Sequence, residues 1–395
     1  MIRFTTAGES HGKALVGVLE GIPAGLSVVA DDINRQLRRR MAGYGRGARM
    51  KLEVDEVEIL SGVRAGETLG SPIALLIPNR DWVNWGDIMG VEPDPPGHQE
   101  RRRQLRRPRP GHADLAGVLK YDRRDARDVL ERASARETAA RVACGAVCRK
   151  LAAEFDVEIG SHVVELGSVR AQVPEPLPAP INELADESPV RCLDPAASDR
   201  MVEEIAAADQ ARDTLGGVAE VVVRGLVVGL GSHVSWDRKL DGRIAQAIMS
   251  IPGVKGVEIG LGFAAAGRRG SQVHDGIVTG GGGKSGRFGR VTNRAGGLEG
   301  GITTGEPLVI RAAMKPMATL RQPLPSIDIA TGEPAIAQVE RSDVTAVPAM
   351  GVIAEAMVAI VVTGAMSEKF GGDSLPEMRD NMASYLRRLE QRWTR

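Results

Sequence analysis

Hydrophobic positions in this chain follow two patterns, and both recur along its whole length. Short runs in which apolar residues alternate with polar ones, or follow one another, are typical of β-strands. Apolar positions three and four residues apart are typical of helices. The first pattern predicts strands at residues 52–63, 72–78, 218–230 and 308–313. The second predicts helices at residues 31–41, 135–155, 201–212, 240–250 and 351–370.

The predicted helix at residues 135–155 carries a stripe of small apolar side chains. Such a stripe faces the core of a globular protein. We therefore predict that this helix packs closely against a sheet or another helix. The stripe consists of Ala139, Val142, Ala143, Ala146, Val147 and Leu151.

Two segments have the composition of exposed loops. Residues 91–109 are rich in proline and charge, and residues 272–290 contain four consecutive glycines. Both are candidates for mobile lids or cofactor loops, although plain surface loops are commoner. A faint internal echo relates residues 60–73 to residues 298–308, since LSG, GE and PI recur as LEG, GE and PL. It indicates either an internal duplication with two halves meeting at a shared site, or chance.

The overall composition is that of a soluble globular protein, with 43% hydrophobic and 26% charged residues over 395 positions. Length alone leaves the number of domains open. The N-terminus has no charged-then-apolar leader, and no apolar run approaches the roughly 18 residues that a membrane span needs. We therefore expect a cytoplasmic protein with no membrane partner.

Three cysteines are an odd number in a large chain and argue against a disulfide framework. Cys144 and Cys148 are four residues apart on a predicted helix, a spacing that could hold a metal. No histidine or second thiol pair accompanies them. We interpret them as small buried hydrophobic residues and expect no metal site.

Basic residues are balanced overall, 51 against 51 acidic ones, but they cluster locally. Guanidinium groups suit carboxylates and phosphates, so the clusters indicate a small, multiply anionic substrate, with several members left on a solvated face. Nucleic acid is the rival partner, but only 3% of the residues are aromatic and no nucleic-acid-binding motif is present. We expect no nucleic acid. The clusters are Arg35, Arg38, Arg39, Arg40, Arg46, Arg49 and Lys51, and Arg101, Arg102, Arg103, Arg106, Arg107 and Arg109.

Two histidines stand in glycine-containing loops, each beside one arginine cluster. His11 lies in GESHG, where the flanking glycines leave the backbone bare beside a possible proton-transfer group. His112 lies in RPRPGHAD, where two prolines and a glycine restrict the loop. A structural histidine and a stiff basic turn are the plainer interpretations of each motif taken alone.

The segment RASARETA is a candidate anion site. Ser134 followed three residues later by Glu137 predicts a capping box at the start of the long helix. The free amides of such a helix start, with Arg132 beside them, favour a phosphate. Capping alone also explains both residues. Three further segments, NRAGGLEGG, KPMAT and RSD, would individually be interpreted as loops.

Taken in order, these segments resemble the chorismate synthase family along nearly the whole chain. The matching blocks are GESHG, the arginines around GYGRGAR, RPGHAD, RASARETAARVA, VKGVEIG, RRGSQVHD, NRAGGLEGGITTG and KPMAT. The resemblance implies one domain over residues 1–395. It also implies an α+β fold, a β-α-β sandwich in which helices pack between two antiparallel sheets, usually in a homotetramer. Our own helix and strand predictions agree with mixed α and β content only.

The resemblance also implies a reaction, the loss of phosphate from C3 and of hydrogen from C6 of 5-enolpyruvylshikimate 3-phosphate, which gives chorismate. Because no carbonyl acidifies that hydrogen, the family's reduced FMN makes sense as a transient electron donor to the breaking C–O bond. By position, His11 and His112 match the two catalytic histidines, the first near the flavin and the second as proton donor to the departing phosphate. Asp343 matches the catalytic aspartate.

Cofactor and substrate positions carry over in the same way. Arg40, Arg46 and Arg49 match positions that hold either the substrate or the phosphate of NADPH, and the sequence does not separate those ligands. A chain of this length without a nucleotide fingerprint resembles members that depend on an external flavin reductase, with NADPH as indirect reductant. A flavin oxidoreductase that uses NADPH is the alternative, and an anion- or RNA-binding module is a third class. The FMN positions are Arg132, Ala133, Ser134, Pro252, Gly253, Gly300, Lys315, Pro316, Met317, Ala318, Thr319 and Arg341.

Overall fold

A computed structural model describes residues 1–46, 54–93, 104–280, 284, 287–340 and 342–392. The helices are α1 Ala30–Met41, α2 Gly86–Met89, α3 Asp114–Lys120, α4 Arg127–Ala133, α5 Thr138–Ala153, α6 Ile181–Glu187, α7 Pro195–Gln210, α8 Leu240–Met249, α9 Val347–Phe370 and α10 Leu375–Gln391. The strands are β1 Arg3–Ala7, β2 Ala14–Glu20, β3 Glu58–Ile59, β4 Val63–Arg64, β5 Glu67–Thr68, β6 Ile73–Pro78, β7 Glu158–Leu166, β8 Val169–Arg170, β9 Gly217–Arg224, β10 Val254–Ile259, β11 Ile277–Thr279, β12 Phe288–Arg290, β13 Leu298–Glu299, β14 Ile302–Thr303, β15 Leu308–Met314, β16 Pro325–Ile327 and β17 Pro334–Ile336.

Two antiparallel sheets form the framework of this mixed α and β structure. One has four strands in the order β1-β2-β6-β3, and the other has five in the order β10-β15-β9-β7-β8. Pairs of short strands form four separate hairpins, β4–β5, β11–β12, β13–β14 and β16–β17. In β2, alternate side chains such as Leu15 and Leu19 are fully buried, as expected for a sheet with one face on a core.

Helices α5 and α9 connect the two sheets through the core. Helix α5 packs on β2 and β6 of the first sheet, α9 packs on β7 and β9 of the second, and the two helices pack on each other. Close approach depends on glycine: a Cβ on Gly17 of β2 would lie 2.8 Å from the sulfur of Cys144, and one on Gly145 would lie 2.5 Å from the Cβ of Ala356. The predicted close packing of the long helix is therefore confirmed, because its whole small-residue stripe is buried.

Helix α9 overturns the expectation that no apolar run approaches the length of a membrane span. By length and composition it could cross a bilayer, and it is the single such helix in the described part of the chain. Within the protein, however, 94% of its apolar window is buried. A helix that is apolar on all sides is typical of a position inside a core, and α9 has that position between sheet and helix neighbours.

One charged side chain, Glu355, interrupts the apolar surface of α9. Its carboxylate is buried and accepts hydrogen bonds from Arg39 on α1, Arg149 on α5 and Arg191. Although burial acts to raise it, the three guanidinium groups hold the pKa of Glu355 far below its ordinary value. The cluster joins α1, α5 and α9 close to the C-terminal end of α1, where Arg39 is followed directly by Arg40.

The predicted elements are confirmed at residues 31–41, 72–78, 240–250, 308–313 and 351–370, within a few residues of the observed bounds. Other boundaries were wrong. Helix α7 begins six residues earlier than predicted, because Asp194 caps it by accepting the N–H of Ala197. Strand β9 ends at Arg224, because Gly225 takes a left-handed φ of 79°. Of the predicted strand 52–63, Glu58–Ile59 is a strand and Val63 begins the β4–β5 hairpin.

The long helix also begins later than predicted. Residues Ala135–Glu137 form a 3₁₀ turn, and α5 starts at Thr138. Ser134 does accept the N–H of Arg136, but the carboxylate of Glu137 lies against Thr6 and Arg141 and not over the cap. The reciprocal half of the predicted capping box was therefore wrong.

The segments predicted as loops, 91–109 and 272–290, and the two segments related by the internal echo can be located in part. Residues 94–103 lie outside the described ranges, and part of 272–290 forms the β11–β12 hairpin. Both halves of the echo form a two-residue hairpin followed by a long strand, β4–β5 then β6 in the first sheet and β13–β14 then β15 in the second.

Candidate active site

The connection between β1 and β2 carries the first predicted histidine, and buried polar groups fix its shape. Asn79 donates from Nδ2 to the carbonyl oxygens of Glu9 and Gly12, at 3.2 and 2.7 Å. The side-chain oxygen of Asn79 in turn accepts two hydrogen bonds from Arg136. Gly8 has a left-handed φ of 101°, and a Cβ there would lie 2.3 Å from the carbonyl oxygen of Ala14. The loop is thus held from both sides.

The imidazole of His11 is held at one edge and on one face. Its Nδ1 lies 2.8 and 3.0 Å from the two carboxylate oxygens of Glu131 on α4. Trp85 stacks on the ring with centroids 3.8 Å apart and an interplanar angle of 23°. Arg127 donates to Glu131 over 2.7 Å. Although burial acts to raise it, hydrogen bonds from His11 and Arg127 hold the pKa of Glu131 below its ordinary value.

The predicted cofactor residues at the end of α4 lie against the same loop. Arg132 donates to the carbonyl oxygens of Gly8 and Thr6, at 3.0 and 2.8 Å. The hydroxyl of Ser134 lies 3.3 Å from that of Ser10. Arg132 is therefore held against the backbone of the loop that carries His11.

The second histidine has a similar environment. The Nδ1 of His112 makes a short hydrogen bond to Asp114 at the start of α3. Arg109 donates to the two oxygens of that carboxylate at 2.9 and 3.1 Å, and its third nitrogen donates to the hydroxyl of Thr319 at 2.7 Å. Against the effect of burial, hydrogen bonds from His112 and Arg109 hold the pKa of Asp114 far below its ordinary value.

The segment Lys315–Thr319 lies beside the His112 loop. A Cβ on Gly111 would lie 3.6 Å from Nζ of Lys315. The backbone N–H of Lys315 donates to the carbonyl oxygen of Gly253 at 2.9 Å, and Thr214 donates to that of Met317 at 2.9 Å. Burial, with nearby Lys255, lowers the pKa of Lys315. No carboxylate pairs with Lys315 among the residues that the structure describes.

The predicted aspartate and one predicted arginine form an ion pair. The Nη1 of Arg46 lies 2.8 Å from Oδ2 of Asp343, and both side chains are mostly buried. Arg40 is buried as well and donates to Thr138, to Asp55 and to the carbonyl oxygen of Ala135.

Electrostatic coupling connects this ion pair to the His11 loop. Burial lowers the pKa of Arg40 to about 10, with Asp55 opposing this and Arg136 and Arg46 adding to it. Arg136 also holds Asn79 beneath the His11 loop, and the charges of Arg46 and Asp343 act on Arg40 from the other side.

Comparison with known proteins gives one answer. A family model described as chorismate synthase matches residues 2–366. The chorismate synthase of Moorella thermoacetica is 56% identical over 392 residues, which cover 99% of this chain and 100% of that protein. That of Thermobifida fusca is 56% identical over 392 residues, which cover 98% of both. A solved structure described as a crystal structure of chorismate synthase has a TM-score of 0.78 and 42% identity over 99% of this chain and 98% of its own.

The chain belongs to the chorismate synthase family. The family resemblance stated from the sequence blocks is thereby confirmed. As a member of the chorismate synthase family the protein is an enzyme, a carbon-oxygen lyase that converts 5-enolpyruvylshikimate 3-phosphate to chorismate with loss of phosphate.

The residues predicted from the chorismate synthase family fall into two groups and one outlier. The first group lies around the β1–β2 connection, called the first loop below, and consists of His11, Arg132, Ala133 and Ser134. Buried charges connect this loop to Arg40, Arg46 and Asp343. His112, Pro252, Gly253 and the segment 315–319 form the second group. Helices α3 and α4 pack on each other and so join the two.

Gly300 is the outlier. It lies in the β13–β14 turn, where its neighbour Gly301 accepts the N–H of Leu240 at the first residue of α8. Pro252 and Gly253 follow the other end of this ten-residue helix, which places them about 15 Å away at 1.5 Å per residue. Arg49 and Arg341 lie outside the described residues.

Sequence reasoning missed the side chains that hold the histidines. Glu131 and Trp85 are 120 and 74 positions from His11, and no local pattern connects them. Asp114 stood inside the RPGHAD block and could have been identified as a partner for His112, two residues away. Cys144 and Cys148, predicted to be small buried hydrophobic residues, are free and buried thiols, as is Cys192, and burial raises the pKa of Cys148 to about 12.

Proposed function

We propose that the second group of residues receives the phosphate of the substrate and protonates it as it leaves C3. The supporting observation is the position of Lys315 next to the His112 loop. A departing phosphate needs both positive charge and a proton. Lys315 supplies the charge, since it has no carboxylate partner in the described part of the chain. His112, in its doubly protonated form, donates from Nδ1 to Asp114 and supplies the proton from Nε2.

The residues around both loops also suit reduced FMN. A flavin phosphate and a ring system with several carbonyl and nitrogen atoms need cations, hydroxyls and backbone donors. Lys315, Ser134 and Thr319 provide such groups. When bound, reduced flavin supplies a transient electron to the breaking C–O bond. The residues proposed to hold it are Arg132, Ala133, Ser134, Pro252, Gly253, Gly300, Lys315, Pro316, Met317, Ala318, Thr319 and Arg341.

The first loop and the ion pair act on the other side of the substrate. We propose that His11 holds or moves a proton at Nε2 close to the flavin and that Asp343 takes part in removal of the C6 hydrogen. The 2.8 Å contact with Arg46 orients the carboxylate of Asp343. Mostly buried surroundings strengthen each of these charged contacts. Arg40, Arg46 and Arg49 remain proposed contacts of the substrate or of NADPH phosphate.

The proposal also covers the completion of the site by other copies of the chain and the supply of reduced flavin. A shallow cleft beside the His112 loop is lined by Arg109, Pro110, Ala318 and Leu320. We propose that neighbouring copies in a homotetramer complete the site. We further propose a helix layer sandwiched between the two sheets, an external flavin reductase that uses NADPH, and a location in the cytoplasm.

The decisive experiment combines purified protein, photoreduced FMN and 5-enolpyruvylshikimate 3-phosphate without oxygen. We expect release of phosphate over many turnovers, with little release when the flavin is left oxidised. Equal release with oxidised flavin would refute the role of reduced FMN. Consumption of NADPH in proportion to product would instead support the oxidoreductase alternative.

A further inference from the structure

Glu131 holds the first loop through its backbone as well as through its carboxylate. Its backbone carbonyl accepts the N–H of Ser10 at 2.9 Å. Its Oε2 accepts the backbone N–H of His11 at 3.0 Å and lies 2.8 Å from the ring Nδ1. The carboxylate is 1% exposed, so water does not compete for these contacts.

The electrostatic state of Glu131 determines which ring nitrogen of His11 carries a proton. Because its pKa is lowered, Glu131 is ionised, and an ionised carboxylate only accepts hydrogen bonds. The ring must then donate from Nδ1. In a neutral imidazole this leaves the lone pair on Nε2, the nitrogen on the opposite side of the ring. Among the residues that the structure describes, none forms a hydrogen bond to Nε2 of His11.

We propose that Glu131 is a positioning residue for the elimination reaction, which fixes the tautomer and the orientation of His11 so that Nε2 faces the reacting ligands. Arg127 completes the arrangement, because its 2.7 Å hydrogen bond balances the carboxylate charge, and its guanidinium lies 5.0 Å from the ring centroid of Trp85. This inference rests on the proposed role of His11. It extends that role to Trp85, which precedes α2, and to Arg127 and Glu131 on α4.

The second histidine repeats the same order of groups. Asp114 binds Nδ1 of His112 as Glu131 binds Nδ1 of His11, and Arg109 pairs with Asp114 as Arg127 pairs with Glu131. Carboxylates in such arrangements hold an imidazole in one tautomer, and their loss costs activity without removing the histidine. Two independent occurrences of this arrangement favour a role in proton handling over a role in loop packing alone.

The test compares Glu131→Gln with a matched carboxylate on the same helix. Glutamine keeps the shape but replaces one acceptor oxygen with an NH₂ donor, so it cannot accept from Arg127 and from both the ring Nδ1 and the backbone N–H of His11 in the present geometry. Asp128→Asn is the control, since Asp128 is on α4 and pairs with Arg123 away from the loop. His11→Ala and the double variant His11→Ala/Glu131→Gln complete a double-mutant cycle.

Activity and spectroscopy are measured together. With reduced FMN, we expect Glu131→Gln to lower kcat by roughly 10- to 1,000-fold, with KM and FMN affinity within about threefold, while Asp128→Asn resembles the parent. The double variant should be no slower than His11→Ala, because residues that act as a unit are not additive. The limb of the kcat–pH profile that disappears in His11→Ala should move to lower pH in Glu131→Gln, since a neighbouring carboxylate favours protonated imidazole.

Selective ¹⁵N labelling of the six histidines gives a readout independent of turnover. We expect an Nδ1–H signal that is absent in His11→Ala and also lost in Glu131→Gln. Unchanged kcat and an unchanged signal in Glu131→Gln would overturn the proposal. Loss of FMN affinity and thermal stability in parallel with kcat would also overturn it, as a packing role. If the parent protein lacks flavin-dependent phosphate release, the proposed function fails, and the Nδ1–H signal alone decides on Glu131.

Discussion

Arg39 at the end of α1 donates two parallel hydrogen bonds, 2.8 and 2.9 Å long, to the two carboxylate oxygens of Glu355 inside α9. Arg149 and Arg191 reach the same carboxylate at 2.6 and 3.1 Å. Arg39 immediately precedes Arg40, whose buried contacts continue towards the active site. A charge cluster remote from the chemistry therefore anchors the helix that leads to Arg46 and Asp343.

Removing the central charge of this cluster should destabilise the protein strongly. Glu355→Gln would leave three arginines crowded in a buried site, and breaking a buried pair in this way typically costs about 3–5 kcal/mol. The free energy of unfolding, measured in urea at a fixed protein concentration, should fall by that amount. Glu368→Gln, on the same helix but paired with Arg243 at the surface, should change it by less than about 1 kcal/mol. Equal effects of both variants would contradict this account of the cluster.

Acid should weaken the fold through the same carboxylate. Because the pKa of Glu355 is lower in the folded protein than its ordinary 4.5, its contribution is complete above about 4.5. As pH falls below this value, the unfolded chain binds a proton that the folded chain does not, and stability decreases. Unfolding in urea at a series of pH values from 7 to about 3 should show this loss in the parent protein. The slope should be shallower in Glu355→Gln, and identical slopes would exclude Glu355 as the cause.

Gly145 should tolerate no side chain at the contact of α5 with α9. Gly145→Ala would place a methyl group 2.5 Å from the Cβ of Ala356, and such overpacking costs about 1–3 kcal/mol. Gly242→Ala on α8 is the matched control, because the nearest atom to its added Cβ is 4.0 Å away. There the better helix propensity of alanine should be neutral or stabilising by up to about 1 kcal/mol. Thermal unfolding of both variants distinguishes a tight contact from a general effect of alanine.

Lys315 should contribute more than the exposed Lys255 to the affinity for an anionic ligand. Hydrogen bonds to charged groups contribute about 1.5–3 kcal/mol, so Lys315→Met should weaken substrate binding by roughly 10- to 100-fold. Lys255→Met should have a much smaller effect. Isothermal titration with the enolpyruvyl phosphate substrate in the presence of FMN would measure both. Similar affinities of the two variants would place the phosphate away from Lys315.

The regular elements were predictable where local pattern and tertiary environment agree. Strand β6 is an apolar run, Arg311 alone interrupts that of β15, and α8 has a clear helical period. Helix α10 was missed despite Ser374, which caps it by accepting the N–H of Glu377. The apolar length of α9 was underestimated, because Gly351, Glu355 and Thr363 are buried for reasons that only the neighbouring elements show.

The site was predictable as a set of motifs but not as an arrangement. His11, His112 and Asp343 were identified from resemblance, whereas their partners Glu131 and Arg46 were not recognised as such. Contacts between residues more than 100 positions apart leave no spacing signal in one sequence. The structure alone shows that the predicted substrate arginine Arg46 contacts the predicted catalytic aspartate.

The central claim is that His112 donates the proton to the departing phosphate beside Lys315. The most direct measurement is single-turnover phosphate release under anaerobic conditions, with saturating substrate and reduced FMN, for the parent protein and His112→Asn. General acid catalysis contributes roughly 10²- to 10⁴-fold, and the variant should release phosphate slower by a factor in that range while FMN affinity stays unchanged. Release at the rate of the parent protein would contradict the assignment of His112 as the proton donor.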